Sequence, residues 1–123
     1  MAGYKIDRIS EDIKRELISI MRDVKDPRVS GKLLSVVKVD VSNDLSYAKV
    51  YVSAVEGIEV AKESVKGLKA ASGYIRRCLG ASSVLHLRKI PELKFIADDS
   101  IEKGMELFDK LRDVEDTIKN NED

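Results

Sequence analysis

The stretch LKAASGYIRRCLG, Leu68 to Gly80, decides how this chain folds. Ala61, Val65, Leu68, Ser72, Ile75 and Leu79 keep helical spacing straight through it. Its centre is Ser72-Gly73, and glycine costs about 1 kcal/mol against alanine inside a helix. The periodicity therefore continues where the propensity fails. Two helices, or one helix with a sharp kink, satisfy both observations, and Gly80 ends the second piece. If Gly73 makes the kink through an unusual backbone angle or a close packing contact, Gly73→Val should cost roughly 1–3 kcal/mol. Ser72→Ala should be milder.

Upstream, Ile6, Ile9, Ile13, Leu17, Ile20 and Val24 recur at three- and four-residue intervals, an amphipathic helix that Asp26-Pro27 stops. LLSVVKVDVS and YAKVYVS, joined by the turn NDLS, predict an antiparallel hairpin. Its buried face should carry Val37, Val39 and Val41 opposite Ala48, Val50 and Val52. Downstream, VLHLRKIPELKFIAD predicts a long third strand interrupted at Pro91, which cannot donate to a ladder. Ile101, Met105, Phe108, Leu111, Val114 and Ile118 predict a last helix that packs by Ile101, Met105, Phe108 and Leu111. Asp99 and Glu102 stand three apart at its start, the spacing of a capping box.

The order is helix, strand, strand, helix, kink, helix, strand, helix. It predicts an α+β fold with helices covering one face of a small mixed sheet. The 123 residues suit one domain. It is placed at residues 1–118, C-terminal helix included, with 119–123 as a frayed tail.

Net charge is zero, but its distribution is uneven. Residues 1–97 hold 18 Lys and Arg against 12 Asp and Glu; residues 98–123 hold 4 against 10. A basic body with an acidic last element suggests a polyanion partner for the body. Cys78 is the only cysteine, so no internal disulfide forms. No apolar run suits a signal peptide or a membrane span. A monomer in the reducing cytoplasm, with no membrane partner, is expected.

Catalytic constellations are nearly absent. His86 is the only histidine and reads as a structural or surface residue in its strand. Cys78 reads as a small packing residue beside Arg77. Asp98 and Asp99 precede a helix, where carboxylates cap rather than catalyse. The seven glycines are scattered and make no phosphate-cradling loop. No catalytic residue, metal ligand or cofactor is therefore expected.

The positive signal is basic. Between Ser64 and Lys94, Lys66, Lys69, Arg76, Arg77, Arg88, Lys89 and Lys94 face a single acid, Glu92. With Ser72 and Gly73 at the kink, these are the candidate RNA-binding residues. Phosphates favour cations beside helix N-termini, and glycine lets a backbone approach. The alternative is a solvated basic face with a packing glycine. Tyr47, Lys49 and Tyr51 share a strand face that could stack bases, although half-exposed tyrosines need no such role.

The element order is that of a type II KH domain, but Ala71-Ser72-Gly73 stands where KH domains carry a GXXG loop. The chain resembles the bacterial ribosome-binding factor A family, whose KH-like fold has an Ala-X-Gly kink there. KDPRVSG (25–31), VKVDVSNDLSYAKVYVS (37–53), AASGYIRRCLG (70–80) and LHLRKIPELKFIADDSIEKG (85–104) carry the likeness, spread over most of residues 4 to 104. The resemblance implies a non-catalytic assembly factor. Such factors bind immature 30S subunits, assist late 16S rRNA maturation and support growth in the cold. It also implies a folded rRNA surface, rather than an isolated single strand, as the ligand. A second reading is an adaptor that holds an assembly GTPase or a ribosomal protein through its acidic helix and exposed sheet face. A nuclease would need a carboxylate cluster or a histidine base, and neither is apparent in the sequence.

Overall fold

A computed structural model of the chain describes residues 2–82, 85 and 87–121. In chain order its elements are α1 (Ala2–Arg22), β1 (Leu34–Val41), β2 (Tyr47–Ala54), α2 (Ile58–Ala70), α3 (Ser72–Gly80), β3 (Glu92–Asp98) and α4 (Ser100–Asn121). The sheet order is β1-β2-β3, with β1 antiparallel and β3 parallel to the central β2. The α2–α3 pair is the crossover between the parallel strands. This is the α+β, type II KH order with one helix added at the end.

One sheet face is buried. Val36, Val39 and Val41 of β1, Ala48, Val50 and Val52 of β2, and Leu93 and Phe95 of β3 pack against Ile13, Leu17, Leu68, Ile75 and Leu79. The buried row of β1 differs from the expected one. A bulge between Val36 and Lys38 places an extra residue opposite β2, so Val36 turns inward and Val37 is only half-buried. Strict alternation holds only beyond the bulge.

The hairpin turn is held by side chains. The Ser46 and Ser42 hydroxyls donate to Asp44 Oδ1 at 2.7 and 2.8 Å, and the Ser46 N–H adds a third bond at 3.1 Å. Leu45 adopts φ 60°, unusual for a residue with a side chain, while packing against the core. The three bonds favour the charged carboxylate and hold the Asp44 pKa at about 2. A carboxyl lowered in this way stabilises the fold above its ordinary value, and that stabilisation is lost as pH falls toward 2. A titration followed at Asp44 Cγ by NMR should therefore have its midpoint near 2. A midpoint at the ordinary 3.8 would mean that the turn bonds are absent in solution.

The segment after α1 is a wedge. Arg28 clamps Asp26 through its guanidinium at 2.8 and 3.0 Å, and its own N–H reaches Asp26 Oδ1 at 2.9 Å, holding the Asp26 carboxyl at a pKa of about 2. This turn sits on α2. The buried Ser64 hydroxyl donates to the Arg28 carbonyl at 2.7 Å. A Cβ at Gly67 would lie 2.8 Å from Val29 Cγ2 and 3.2 Å from Arg28 Cβ. Close packing against glycine thus occurs at Gly67, not at the kink.

Three expectations are corrected. The third strand begins only at Glu92; Leu85 and Leu87 precede it as half-buried residues outside the strand. Pro91 offers no N–H, and pairing starts where the Glu92 N–H reaches the Ser46 carbonyl at 3.0 Å. His86 lies outside the described residues.

The capping box is also absent. Glu102 reaches across to the first N–H of α2, at Ile58, at 3.0 Å, while Asp98 accepts from the Ser100 N–H at 2.8 Å. Glu102 is drawn there because the chain enters α2 through Gly57, which has no side chain to cap it.

Finally, α4 is not packed by its apolar stripe. Ile101 is half-buried, but every residue from Lys103 to Lys119 is exposed, because α1, α2 and α3 already cover the inner sheet face. Its helical backbone reaches Asn121, into the stretch expected to fray; Glu122 and Asp123 lie outside the described residues.

Candidate nucleic-acid interface

The kink resolves as two helices. Ala71 stands between α2 and α3 with φ −93° and ψ 6°. Its N–H still bonds the Gly67 and Leu68 carbonyls, and its own carbonyl accepts from Ile75 N–H. The Ser72 hydroxyl donates to the Lys69 carbonyl, so Ser72 ties off the end of α2 as it begins α3. No side chain caps α3.

Gly73 does not make this break by strain or by tight packing. Its φ is outside the left-handed region, and a Cβ there would meet nothing within 4 Å. It leaves open a patch of surface in a cleft of about 430 Å³. Ser46, Ser72, Gly73, Arg76, Lys89 and Glu92 line that cleft, with Ile90 and Leu93. Three non-consecutive segments build it: the end of the hairpin turn, the first turn of α3 and the bend before β3. Arg76 is oriented by one bond, from its guanidinium to the Ile90 carbonyl at 3.0 Å. A guanidinium has five N–H donors, so most of Arg76's donor capacity remains for another acceptor. Two cations and the open, uncapped first turn of α3 suit a phosphate group, while the Ser46 and Ser72 hydroxyls are already committed to Asp44 and to the Lys69 carbonyl.

The nine candidate residues fall on more than one surface. Ser72, Gly73, Arg76 and Lys89 share the cleft. Arg77 is exposed one position further round α3, and Arg88 is exposed beside Lys89; neither lines the cleft. Lys66 is paired with Glu63 at 2.9 Å and, with Lys69, lines a separate groove shared by Glu59 and Glu63. Lys94 lies on the outer sheet face, its ammonium 4.5 Å from the centre of the Tyr47 ring. That face also presents Lys49 beside Lys94 and Tyr51 beside Ile96. It adjoins the cleft where Tyr47 pairs with Glu92.

The sequence reading did not single out Ser46. It enters the cleft only because β3 pairs with β2 at that end of the hairpin, a contact between distant parts of the chain. Cys78 is half-buried against the core, and its contact with Tyr74 raises the phenol above its usual range. Among the described residues, no cluster of His, Cys, Asp or Glu is placed to hold a metal, and no helix is long and apolar enough to cross a membrane.

Residues 5–111 match the profile of the family described as ribosome-binding factor A. A ribosome-binding factor A from Clostridium tetani is 47% identical over 124 residues, spanning 100% of this chain and 97% of that protein. The crystal structure of ribosome-binding factor A from Thermus thermophilus superposes with a TM-score of 0.64 at 27% identity. It covers 75% of this chain and 93% of its own. A homology model of the Thermus thermophilus factor, fitted into a cryo-electron microscopy map of its 30S complex, superposes at 0.57 with 28% identity. It covers 74% and 92% of the two chains.

Proposed function

The chain belongs to the ribosome-binding factor A family, and on that premise we propose that it binds immature 30S subunits and assists late maturation of 16S rRNA. Its role is to bind and position rRNA, not to catalyse. The observation that carries this reading is the cleft at the kink, where Arg76 and Lys89 flank the open backbone of Gly73. The fit of a related factor into a 30S complex supports the choice of particle. Ser72, Gly73, Arg76 and Lys89 are the proposed phosphate contacts. Lys94 and the tyrosines of the outer sheet face extend the surface, and Lys66, Lys69, Arg77 and Arg88 form its periphery. The site of action is the cytoplasm.

Co-sedimentation with purified 30S particles tests the reading. The parent protein should travel with the particles at low salt and be released as salt rises, because phosphate contacts displace counterions. Gly73→Val should melt with the parent, since a Cβ there meets nothing within 4 Å and the position needs no left-handed backbone. The same variant should bind particles roughly tenfold less tightly, the equivalent of one lost contact. A parent that stays at the top of the gradient would refute the function. A Gly73→Val protein that pellets like the parent would move the contact away from the cleft.

A further inference from the structure

The sheet face turned away from the core carries a pattern of its own. On the central strand β2, Tyr47, Lys49 and Tyr51 alternate with the buried Ala48, Val50 and Val52. The three outward side chains keep part of their surface open. Lys38 of β1 stands opposite Tyr51, and Lys94 of β3 stands beside Lys49. Among the described residues, none of these three lysines forms a salt bridge. Lys94 instead holds its ammonium 4.5 Å from the centre of the Tyr47 ring. An exposed lysine lies over that ring, so the ring face is turned to the surface and not into the core.

Rings and charges together select the occupant. The face holds three lysines against two acids, Asp40 and Glu92, so charge alone gives a polyanion little hold there. The rings supply what charge does not. A base of any identity stacks on a tyrosine while its phosphates meet the neighbouring lysines. Such stacking outweighs an exposed cation–π contact, so the Lys94 ammonium yields the Tyr47 ring and turns to phosphate. Spacing sets the state of the strand. Tyr47 and Tyr51 are about 13 Å apart along β2, whereas stacked neighbours in a helix are about 3.4 Å apart. Rings at that separation receive bases only from a strand whose own stack is opened. A protein partner would find no apolar anchor: among the described residues, none of the exposed large apolar side chains belongs to a strand.

We propose that the outer face of the sheet binds an unpaired RNA segment, with bases on Tyr47 and Tyr51 and phosphates at Lys38, Lys49 and Lys94. The kink cleft takes phosphate from any RNA surface, and this face adds recognition of the single-stranded state. The proposal rests on the rRNA reading for the kind of polymer; a folded RNA offers such a segment in a loop or bulge.

The full-length chain is titrated at low salt with three fluorescein-labelled RNA probes, read by anisotropy. They are an oligouridylate of about ten nucleotides, an abasic strand of the same length and charge, and a duplex of that length. The parent should bind the oligouridylate at least about tenfold more tightly than the abasic strand, because only the first has bases to stack. A Tyr47→Leu, Tyr51→Leu variant should lose about tenfold or more for the oligouridylate and hold its affinity for the abasic strand and the duplex. A Tyr47→Phe, Tyr51→Phe variant keeps both rings and should bind as the parent does; thermal melts check that each variant is folded. Equal binding of the oligouridylate and the abasic strand by the parent would overturn the proposal. So would a leucine variant that binds the oligouridylate like the parent, or a phenylalanine variant that loses as much as the leucine one. Pelleting with 30S particles separates this failure from failure of the function. A parent that pellets but shows no preference for bases keeps the rRNA reading and loses the sheet site, and a parent that does neither loses both. A leucine variant that still binds oligouridylate but no longer pellets would assign the face to a ribosomal protein instead.

Discussion

Gly67→Val should lower the melting temperature by roughly 10 °C. The expectation follows from one contact. A Cβ at residue 67 would sit 2.8 Å from Val29 Cγ2, 3.2 Å from Arg28 Cβ and 3.2 Å from Asp26 Cγ. None of these neighbours can yield easily. Val29 is a core residue, Arg28 and Asp26 are clamped together, and the Arg28 carbonyl is bonded to Ser64. Valine adds two further methyls. Overpacking of this kind costs about 1–3 kcal/mol, and displacing the clamped turn places the change at the upper end. At about 3–5 °C per kcal/mol for a chain of this length, the shift is near 10 °C. The control is Gly73→Val, which should not shift the melt. If Gly67→Val melts within 2 °C of the parent, the wedge of residues 26–29 does not bear on α2 as described.

Reversing charge in the cleft should have the largest functional effect. Arg76→Glu with Lys89→Glu should weaken 30S binding about 100-fold at low salt. Each reversal removes one charge-assisted phosphate contact worth at least about 1.4 kcal/mol, and each such loss is tenfold in affinity. The salt dependence should also become shallower, because fewer counterions are released. Arg77→Glu, one residue away but outside the cleft, should cost roughly threefold or less, as exposed charges without a fixed partner do. The three proteins should fold alike, since Arg76, Arg77 and Lys89 are all exposed. Equal losses from Arg77→Glu and the double reversal would mean that the basic surface acts as a diffuse field with no geometric centre.

Local patterning made the order of elements legible. The apolar spacing from Ile6 to Val24 places α1, and the turn residues after Ser42 place the hairpin. Ser72-Gly73 places the break between α2 and α3. The errors arose where distant segments meet. Gly73 has the sequence context of a structural glycine, but the tight contact belongs to Gly67, whose neighbours are about 40 residues upstream. Glu102 has the spacing of a cap for its own helix, yet its partner is the start of α2. The apolar stripe of α4 predicts burial, but periodicity cannot reveal that the sheet face is already occupied. The candidate site divides in the same way. Charge counting found Arg76 and Lys89 together with Arg77 and Lys66, and only the fold separates those that line one cleft. Ser46 carried no signal of its own.

The exposed α4 and the uneven placing of charge have a consequence for how the molecule meets a polyanion. The chain is neutral overall, so a phosphate-covered surface exerts no net pull on it as a point charge. Residues 1–97 hold 18 Lys and Arg against 12 Asp and Glu, whereas the 22-residue last helix, about 33 Å long at 1.5 Å per residue, holds six acids against four bases. The two unequal parts differ in sign of charge and so give the molecule an electric dipole. In the field of a polyanion a dipole feels a torque before contact, which turns the basic part of the surface toward the polyanion. The orientation of the encounter is thus set by where the charges sit along the chain, although their sum is zero.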